Sequence, residues 1–403
     1  MSLAQNEQKF LQLLRAALRN QKVEPADVTD VADWDGLFSM AAEHKLLPMT
    51  VSALPGEILA GIPRAKQTAI RQVVLQTVQS KAFITLYNGL RSAGFHPLVV
   101  KGIVCRSIYP QGDERPSGDE DLYVPDEEFD GCCEFLRDYG MEPTADAAPD
   151  AHEIGWQKRG GSLYIELHRR LFSPDSIAYG DLEAFFDCAA EKAAAYPTQY
   201  GTVYSLPPHD HLLYLLLHAY KHFLHSGFGI RQVCDIGLWA QRYHTQIDWE
   251  RLTQQLRSCG AQQYAAAVLG IAAHELQIHM ELPADWQTTR EFCEPLLEDV
   301  LTSGVYGNSD SERLHSSTVT LNAVAADRTG KRSSIWDSVF LKRVDMENKY
   351  PYLRRFPFLL PVAWIQRIVH YLTKKRNARS RISSSITIGN DLVKLLKLYG
   401  IIK

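Results

Sequence analysis

The stretch KGIVCRSIYPQGDERPSGDEDLYV, residues 101–124, decides the fold of this chain. The residues just before it, Pro97 to Val100, form a short branched apolar run that predicts a strand. Within the stretch, Gly102 to Tyr109 predicts a helix, and Glu120 to Val124 predicts a second strand after a Pro-Ser-Gly turn. Strands and helices alternate here, which indicates a sheet with helices packed against it.

Two carboxylates stand one residue apart at the start of the second strand. Asp119 and Asp121 are predicted to project to the same side, because alternate residues of a strand share a face. Two carboxylates in one place repel each other unless a cation neutralises both. Magnesium prefers hard oxygen ligands and keeps positions open for phosphate oxygens. The pair therefore predicts a Mg²⁺ site, with Mn²⁺ as the alternative ion.

A hairpin further along the chain supplies a third carboxylate. Two alternating runs, 152–158 and 162–169, are joined through Arg159-Gly160-Gly161, whose glycines allow the positive φ of a tight turn. On the second strand one face is predicted to carry Tyr164, Glu166 and His168. A two-metal site needs further oxygen ligands, so we predict Glu166 as the third metal ligand. Trp156, on the first strand, is typical of a core residue, with stacking on a base as the alternative.

Donors for a triphosphate lie in the same stretch as the paired carboxylates. Lys101 and Gly102 stand at a strand-to-helix junction, and Arg115 and Ser117 lie in the loop that follows. The N–H groups at a helix start attract phosphate, and a glycine allows the ligand to approach closely. We therefore predict that these four residues bind the nucleotide.

Each of these residues also has a simpler explanation. An Asp pair often caps a helix or closes a turn, and Glu166 could be an exposed residue of an edge strand. Lys101 could form a surface ion pair and Arg115 could be solvated. Their joint order favours the functional interpretation: strand, glycine turn, helix, basic loop, paired carboxylates, strand, helix, and then a hairpin that carries the third carboxylate.

Helices are predicted on both sides of this segment. Near the start of the chain, two apolar stripes have helical spacing: Phe10, Leu11, Leu14 and Leu18, and then Trp34, Leu37, Phe38 and Ala41. A third helix is predicted over 66–93, and helical patterns return after Pro207-Pro208. The polar segment 302–332 predicts a long loop. We predict an N-terminal helical region, a core and a C-terminal helical domain with a basic tail, over 1–80, 81–200 and 201–403.

Composition narrows the class of protein. The formal net charge is -4 over 403 residues, so the overall charge does not point to nucleic acid or an acidic membrane surface. The 7 cysteines are scattered without a CxxC pair, which suits neither a disulfide framework nor a thiolate zinc site. The amino terminus lacks the apolar core of a signal peptide, and no apolar segment is long enough to span a membrane. We predict a cytoplasmic protein.

In its order of elements the chain resembles the DNA polymerase β type of nucleotidyltransferase core, and in detail the bacterial family of uncharacterised nucleotidyltransferases. The matching pieces cover roughly residues 30–260 and comprise Asp33-Trp34 through Ala42-Glu43-His44, Lys101-Gly102, Tyr109-Pro110, Arg115 through Asp121, Glu166-Leu167-His168, HLLYLLLHAYKH and GIRQVCDIGLW. The resemblance implies an α+β fold, in which helical regions flank a small mixed sheet with its own helices.

The same resemblance implies a reaction. A nucleoside monophosphate would pass from a nucleoside triphosphate, with ATP favoured, to an acceptor, with release of pyrophosphate. Asp119, Asp121 and Glu166 would hold magnesium, while Gly102 and the start of its helix would face the phosphates.

Two residues depart from the pattern of such cores. Glu120 stands where an apolar residue is usual, and it should face the opposite side of the sheet, where it needs either solvent or a basic partner. Glu166 stands where relatives often carry Asp. No side-chain general base is obligatory with two metals; the candidates are Glu120, His168 and Asp235.

Residues beyond the core extend the predicted site. The helix after Pro208 carries three histidines on one face, at a spacing that can hold zinc but without the Glu of an HExxH motif: His218, His222 and His225. Packing, or lining the acceptor side of a cleft, is the favoured interpretation. Arg231 and Asp235, four apart, either form a helical ion pair or turn into the cleft. We place His168, His222, Arg231 and Asp235 on the acceptor side.

The acceptor itself is open. A small molecule is favoured, and the alternatives are protein AMPylation or RNA end modification by the same chemistry, or a silent nucleotide- or partner-binding protein. The intact trio of carboxylates argues against the silent alternative. The basic run KKRNARSR, residues 374–381, could contact RNA or another polyanion, although such a run is more typical of a solvated face.

Overall fold

The computed structural model describes residues 3–144, 151–173, 180–303, 352–373 and 392–402, together with Val324, Met346 and Tyr350. Of the predicted loop over 302–332, the described residues are Thr302 and Ser303, which end a helix, and Val324. The basic run 374–381 lies outside the described residues.

Helices form the first part of the chain, as predicted. They are α1 (Gln5–Leu18), α2 (Trp34–Glu43), α3 (Leu47–Ser52), α4 (Gly56–Gly61) and α5 (Pro63–Ser92). The two apolar stripes are buried apart from Trp34, which is half-buried. The helix predicted over 66–93 is confirmed with an earlier start at Pro63, because proline has the backbone angle of a first helical turn and lacks only an N–H that has no partner there.

A mixed sheet of five strands follows, in the order β1-β2-β5-β4-β3. The strands are β1 (Leu98–Val99), β2 (Glu120–Tyr123), β3 (Met141–Pro143), β4 (Glu153–Lys158) and β5 (Tyr164–His168). Strands β2 and β5 are parallel, and the other neighbours are antiparallel. Helices α6 (Ile103–Arg106) and α7 (Asp126–Asp138) complete this unit. The predicted α+β core is confirmed.

The predicted end of helix α6 was wrong. The helix ends at Arg106 rather than at Tyr109, and the residue before Pro110 is biased away from helical angles. Helix α7 begins at Asp126, with Pro125 as its N-cap, and the carboxylate of Asp126 in the first turn interacts favourably with the helix dipole.

The β4–β5 hairpin turns at Gly160, whose φ of 67° is the positive angle that the sequence predicted. Trp156 pairs with Ile165 and has no exposed surface, with the guanidinium of Arg137 5.5 Å from its ring. Stacking of this side chain on a bound base is therefore excluded, and its core alternative is confirmed. The residue opposite Glu166 is Gly155.

A second hairpin, which the sequence analysis did not predict, precedes the later helices. It consists of β6 (Ala194–Thr198) and β7 (Gly201–Ser205). The helices that follow are α8 (Pro208–His225), α9 (Ile230–Tyr243), α10 (Trp249–Ser258), α11 (Gln262–His274), α12 (Arg290–Ser303), α13 (Tyr352–Arg355), α14 (Leu360–Thr373) and a run over 392–398.

One hydrophobic core extends from α1 through the sheet to α8–α12 and the run over 392–398. The domain limits predicted at residues 80 and 200 fall inside α5 and in the turn between β6 and β7. The division into three parts stays a prediction. Among the described helices, none combines the length and the apolar character needed to cross a membrane.

Candidate active site

A cavity of about 260 Å³ lies between the sheet and helices α8 and α9. Glu120, a candidate base, does not line this cavity, whereas the predicted metal, nucleotide and acceptor-side residues all do: Lys101, Gly102, Arg115, Ser117, Asp119, Asp121, Glu166, His168, His222, Arg231 and Asp235. Strands β2, β4 and β5 and the residue before β2 supply four of the carboxylates, and α9 supplies Asp235. The two helices supply most of the basic and imidazole groups. Lining a cavity does not by itself assign a role.

Asp121 and Glu166 face each other across the parallel pair of strands β2 and β5. Asp121 is 1% exposed, and its Oδ2 has no hydrogen-bond partner among the described residues. Burial, followed by the charge of Asp121, raises the pKa of Glu166 to about 7. A buried and a half-buried carboxylate that disfavour each other's charge form a site that a cation would stabilise.

Lys101 and His168 are the groups that face the carboxylate of Asp121. The ammonium of Lys101 lies 2.8 Å from Asp121 Oδ1, and His168 Nε2 lies 3.4 Å from the same oxygen. Burial by itself would raise the pKa of Asp121, but the charge of Lys101 and the contact with His168 outweigh it and hold this pKa below its ordinary value. Asp121 is therefore ionised at neutral pH.

A possible metal-binding group is present, but its membership differs from the predicted trio. Ligand atoms of Asp121, Glu166 and His168 all lie within 4.8 Å of one another. Asp119 is half-buried and lines the same cavity, but it is not part of this group. His168 was predicted on the acceptor side; the two-residue period that put it on the face of Glu166 was the signal for its position beside the carboxylates.

Helix α8 contributes two neutral imidazoles to the cavity. His218 Nε2 lies 3.1 Å from the ammonium of Lys101, and the rings of His218 and His222 are 4.5 Å apart. Burial and then the charge of Lys101 lower the pKa of both, to about 3 for His222. An ammonium can only donate, so His218 accepts this hydrogen bond. His225 does not line this cavity, and the three histidines form no metal group among the described residues.

Asp235 and Arg231 both turn into the cavity from α9, the second of the two predicted alternatives. The carboxylate of Asp235 accepts from Arg115 Nε at 2.7 Å, from Arg115 Nη2, and from the hydroxyl of Tyr109 at 2.7 Å. Arg115 is 3% exposed, and its Nη1 has no hydrogen-bond partner in the part of the chain that is described. Arg231 donates to the carbonyl of Pro116 at 2.6 Å. Asp235 therefore holds Arg115 by one edge and leaves the other nitrogen available.

On the opposite face of β2, contacts within the protein account for Glu120 and Gly102, which were predicted to act in the site. Glu120 is buried against the guanidinium of Arg106 and accepts the N–H of Ile103 at 2.7 Å, so it has the basic partner that the sequence required. It does not line the cavity and cannot act there as a base. Gly102 has φ of 60°, and a Cβ at this position would lie 1.9 Å from Glu120 Oε2. This close approach is the physical reason for the glycine.

The contacts of Glu120 and Arg106 also reduce the set of phosphate donors. The first N–H of α6, from Ile103, is donated to Glu120, so the helix start after Gly102 does not offer it to a phosphate. The hydroxyl of Ser117 accepts from Arg106 and keeps its own hydrogen available to donate. Lys101 and Arg115 are the predicted nucleotide-binding residues that still present a charged donor.

Several lining residues were not predicted: Glu153, Leu171, Tyr214, Leu215, Lys221, Gln232 and Ile236. Glu153 lies opposite His168 in the β4–β5 register, and its Oε2 is 3.5 Å from His168 Nδ1. The glycine turn at 160–161 fixes that register, so the turn was a signal that could have identified Glu153. Lys221 precedes His222 on α8, but a lysine on a helix surface carries no specific signal.

A small mixed sheet that directs carboxylates from two neighbouring strands into a cavity closed by helices is an arrangement of the nucleotidyltransferase type. A family model described as "Uncharacterised nucleotidyltransferase" matches residues 30–277 of this chain. The match covers more than half of the chain, so the protein belongs to that family, and the resemblance predicted over residues 30–260 is confirmed. A comparison with curated proteins finds no match.

Proposed function

We propose that this protein transfers a nucleoside monophosphate from a nucleoside triphosphate, ATP in the first instance, to a small-molecule acceptor, with release of pyrophosphate. The observation that carries the proposal is the buried carboxylate of Asp121, which faces Glu166 and has one oxygen without a donor among the described residues. A buried polar atom without a partner is costly, and it is expected where a ligand completes the site.

Asp119, Asp121 and Glu166 would hold Mg²⁺, or Mn²⁺ in its place. The donor set fits a hard divalent cation, since it consists of carboxylate oxygens on one side of the sheet, and a cation would relieve the repulsion that raises the pKa of Glu166. When bound, the metal supplies Lewis acidity at the phosphoryl group and lowers the pKa of the acceptor hydroxyl.

Lys101 and Arg115 would bind the phosphates. Burial disfavours the ammonium of Lys101, but the charges of Asp121 and Asp119 outweigh it and keep its pKa well above the ordinary value, so it is charged at neutral pH. Arg115 presents Nη1 from an orientation that Asp235 fixes. Phosphoryl transfer depends mainly on positioning and on neutralising charge, which two fixed cations provide.

The acceptor would lie toward α8 and α9, beside His222 and Arg231. Both residues line the same cavity as the proposed metal and phosphate groups. If a side chain takes the acceptor proton, His168 is the remaining candidate. Glu120 lies outside the cavity, and Asp235 is committed to Arg115.

The test is to incubate the protein with each α-labelled nucleoside triphosphate and Mg²⁺ or Mn²⁺, alone and with cell extract. The products are separated into small molecules, protein and RNA. We expect label in a small product with the parent and none with Asp121→Asn. Asp138→Asn is the matched control, because Asp138 is exposed at the end of α7 and away from the cavity.

The same experiment separates the alternatives. Label on protein or on RNA would replace the small acceptor by AMPylation or RNA end modification. No label in any fraction, together with equal nucleotide binding by the parent and Asp121→Asn, would overturn transfer and favour a binding protein.

A further inference from the structure

The imidazole of His168 lies among the carboxylates with an orientation that the sheet itself imposes. His168 is 6% exposed, and neither of its ring nitrogens has a hydrogen bond to any described residue. Its Nε2 lies 3.4 Å from Asp121 Oδ1 and 3.7 Å from Glu166 Oε2. A buried imidazole that is aimed at two carboxylates but bonded to neither points, together with those carboxylates, to a bound cation.

These spacings suit a shared metal ion. Ligand bonds of about 2.1 Å place neighbouring ligand atoms about 3.4 Å apart around a tetrahedral ion and about 3.0 Å apart around an octahedral one. The two measured separations are close to the first value and within a small side-chain adjustment of the second. Direct hydrogen bonds would instead bring the nitrogen to about 2.7–3.2 Å from one oxygen.

Glu153 occupies the position from which a carboxylate orients a metal-binding histidine. It pairs with His168 across β4 and β5, and its Oε2 lies 3.5 Å from Nδ1, the nitrogen on the far side of the ring. Metal-bound histidines usually donate their second ring N–H to such a group, which fixes the tautomer and strengthens the other nitrogen as a ligand. Glu153 is about half exposed, so it can adjust to shorten this contact.

We propose that His168 is a ligand of the metal ion, positioned by Glu153, so that the site consists of two carboxylates and one imidazole and prefers Mn²⁺ over Mg²⁺ more strongly than an all-oxygen site. Imidazole suits transition ions, whereas Mg²⁺ favours oxygen ligands. The inference rests on the proposed function only in placing a divalent ion at Asp121 and Glu166. It changes the ligand set and the ion, and it assigns the lone pair of His168 Nε2 to the metal rather than to the acceptor proton.

Lys101 does not prevent this arrangement. Its ammonium lies on the same oxygen of Asp121 that His168 approaches, but it also donates to the neutral imidazole of His218 at 3.1 Å. A cation that binds Asp121 can therefore displace Lys101 toward His218 without leaving the ammonium unpaired. The side chain of Lys101 is 20% exposed, which leaves room for that shift.

The test is metal binding by the full chain without nucleotide. Mn²⁺ is added to the apo protein, and pulsed electron paramagnetic resonance measures the coupling of Mn²⁺ to a nitrogen nucleus. We expect one imidazole coupling in the parent, its loss in His168→Asn, and its retention in His222→Asn, which changes another imidazole of the same cavity. Calorimetry should show that His168→Asn lowers the ratio of the Mg²⁺ to the Mn²⁺ dissociation constant by about tenfold or more.

Glu153→Gln is the second variant, because Glu153 is about half exposed and its substitution leaves the core intact. It should weaken Mn²⁺ binding by about tenfold while Mg²⁺ binding changes less. Absence of nitrogen coupling in the parent, or unchanged coupling in a folded His168→Asn, would overturn the proposal. The transfer assay is separate: label transfer with an all-oxygen metal site would reject only this inference, and nitrogen-coupled Mn²⁺ without transfer would reject only the proposed function.

Discussion

Glu120 and Asp121 are adjacent on strand β2 and almost equally buried, with 3% and 1% exposure, but they face opposite sides of the sheet. Glu120 is held by the guanidinium of Arg106 and the backbone N–H of Ile103. Asp121 meets a lysine and a histidine, and one of its oxygens has no donor among the described residues. Burial therefore does not distinguish a structural carboxylate from a chemical one. Fixed donors on every side stabilise the fold, whereas an incomplete set leaves room for a ligand.

From the contrast between Glu120 and Asp121, we expect substitution of Asp121 to cause the largest loss of activity. Asp121→Asn removes a charge of the proposed metal site, so we expect transfer to fall by about 10³-fold or more, which corresponds to about 4 kcal/mol of transition-state stabilisation. The free energy of unfolding should change by only about 1 kcal/mol or less, because Glu166 can ionise and replace Asp121 as the counter-ion of Lys101. Single-turnover rates and urea unfolding measure the two quantities.

Glu120 should show the reverse pattern. Glu120→Gln leaves Arg106 buried without its counter-ion, so we expect a loss of about 3–5 kcal/mol in the free energy of unfolding and a smaller effect on transfer by the protein that remains folded. The double variant Glu120→Gln/Arg106→Met should recover part of that stability, since it removes both charges. If Glu120→Gln unfolds at the urea concentration of the parent, this carboxylate is not structural and the contrast between the two faces fails.

Local periodicity predicted the side chains that one strand or one hairpin places together. The two-residue period put Glu166 and His168 on one face, and the order of elements brought that face to Asp121. Sequence could not identify partners across long separations: Arg115 and Asp235 are 120 residues apart, and their pairing depends on how α9 packs against the sheet. Sequence also could not show why Gly102 is a glycine. A glycine permits the close approach of a phosphate, but it equally permits the close approach of another side chain, here that of Glu120.

A long-range pair of this kind offers the next test. Asp235→Asn should release Arg115 from its fixed orientation, and we expect a 10- to 100-fold fall in kcat/KM for the nucleotide, the scale of one or two hydrogen bonds to a charged group. Tyr109→Phe removes the neutral donor to the same carboxylate and should cost less, about 3- to 10-fold. Asp235→Glu should restore part of the activity. An equal loss in the Asn and Glu variants would indicate a general disturbance of the fold.

The sequence could also not predict how the environment shifts the pKa of Glu166. The effect of this shift on stability is the smallest that we predict. Its pKa is about 7 in the folded protein, above the ordinary value near 4.5, because it is half-buried and lies beside Asp121. The folded state therefore keeps a proton between these values that the unfolded state has lost, and the stabilisation present below pH 4.5 disappears as the pH rises through about 7.

We therefore expect the urea midpoint of the metal-free protein to fall between pH 5 and pH 8, and Glu166→Gln to reduce that fall. Divalent ions should act in the opposite direction, because they bind the ionised carboxylate and compete with its proton. Their affinity should rise with pH up to about 7 and then level off. On the other face of β2, Glu120 remains paired with Arg106 and should contribute no metal-dependent change. A midpoint that varies with pH equally in the presence and absence of metal would place the titrating group outside the site.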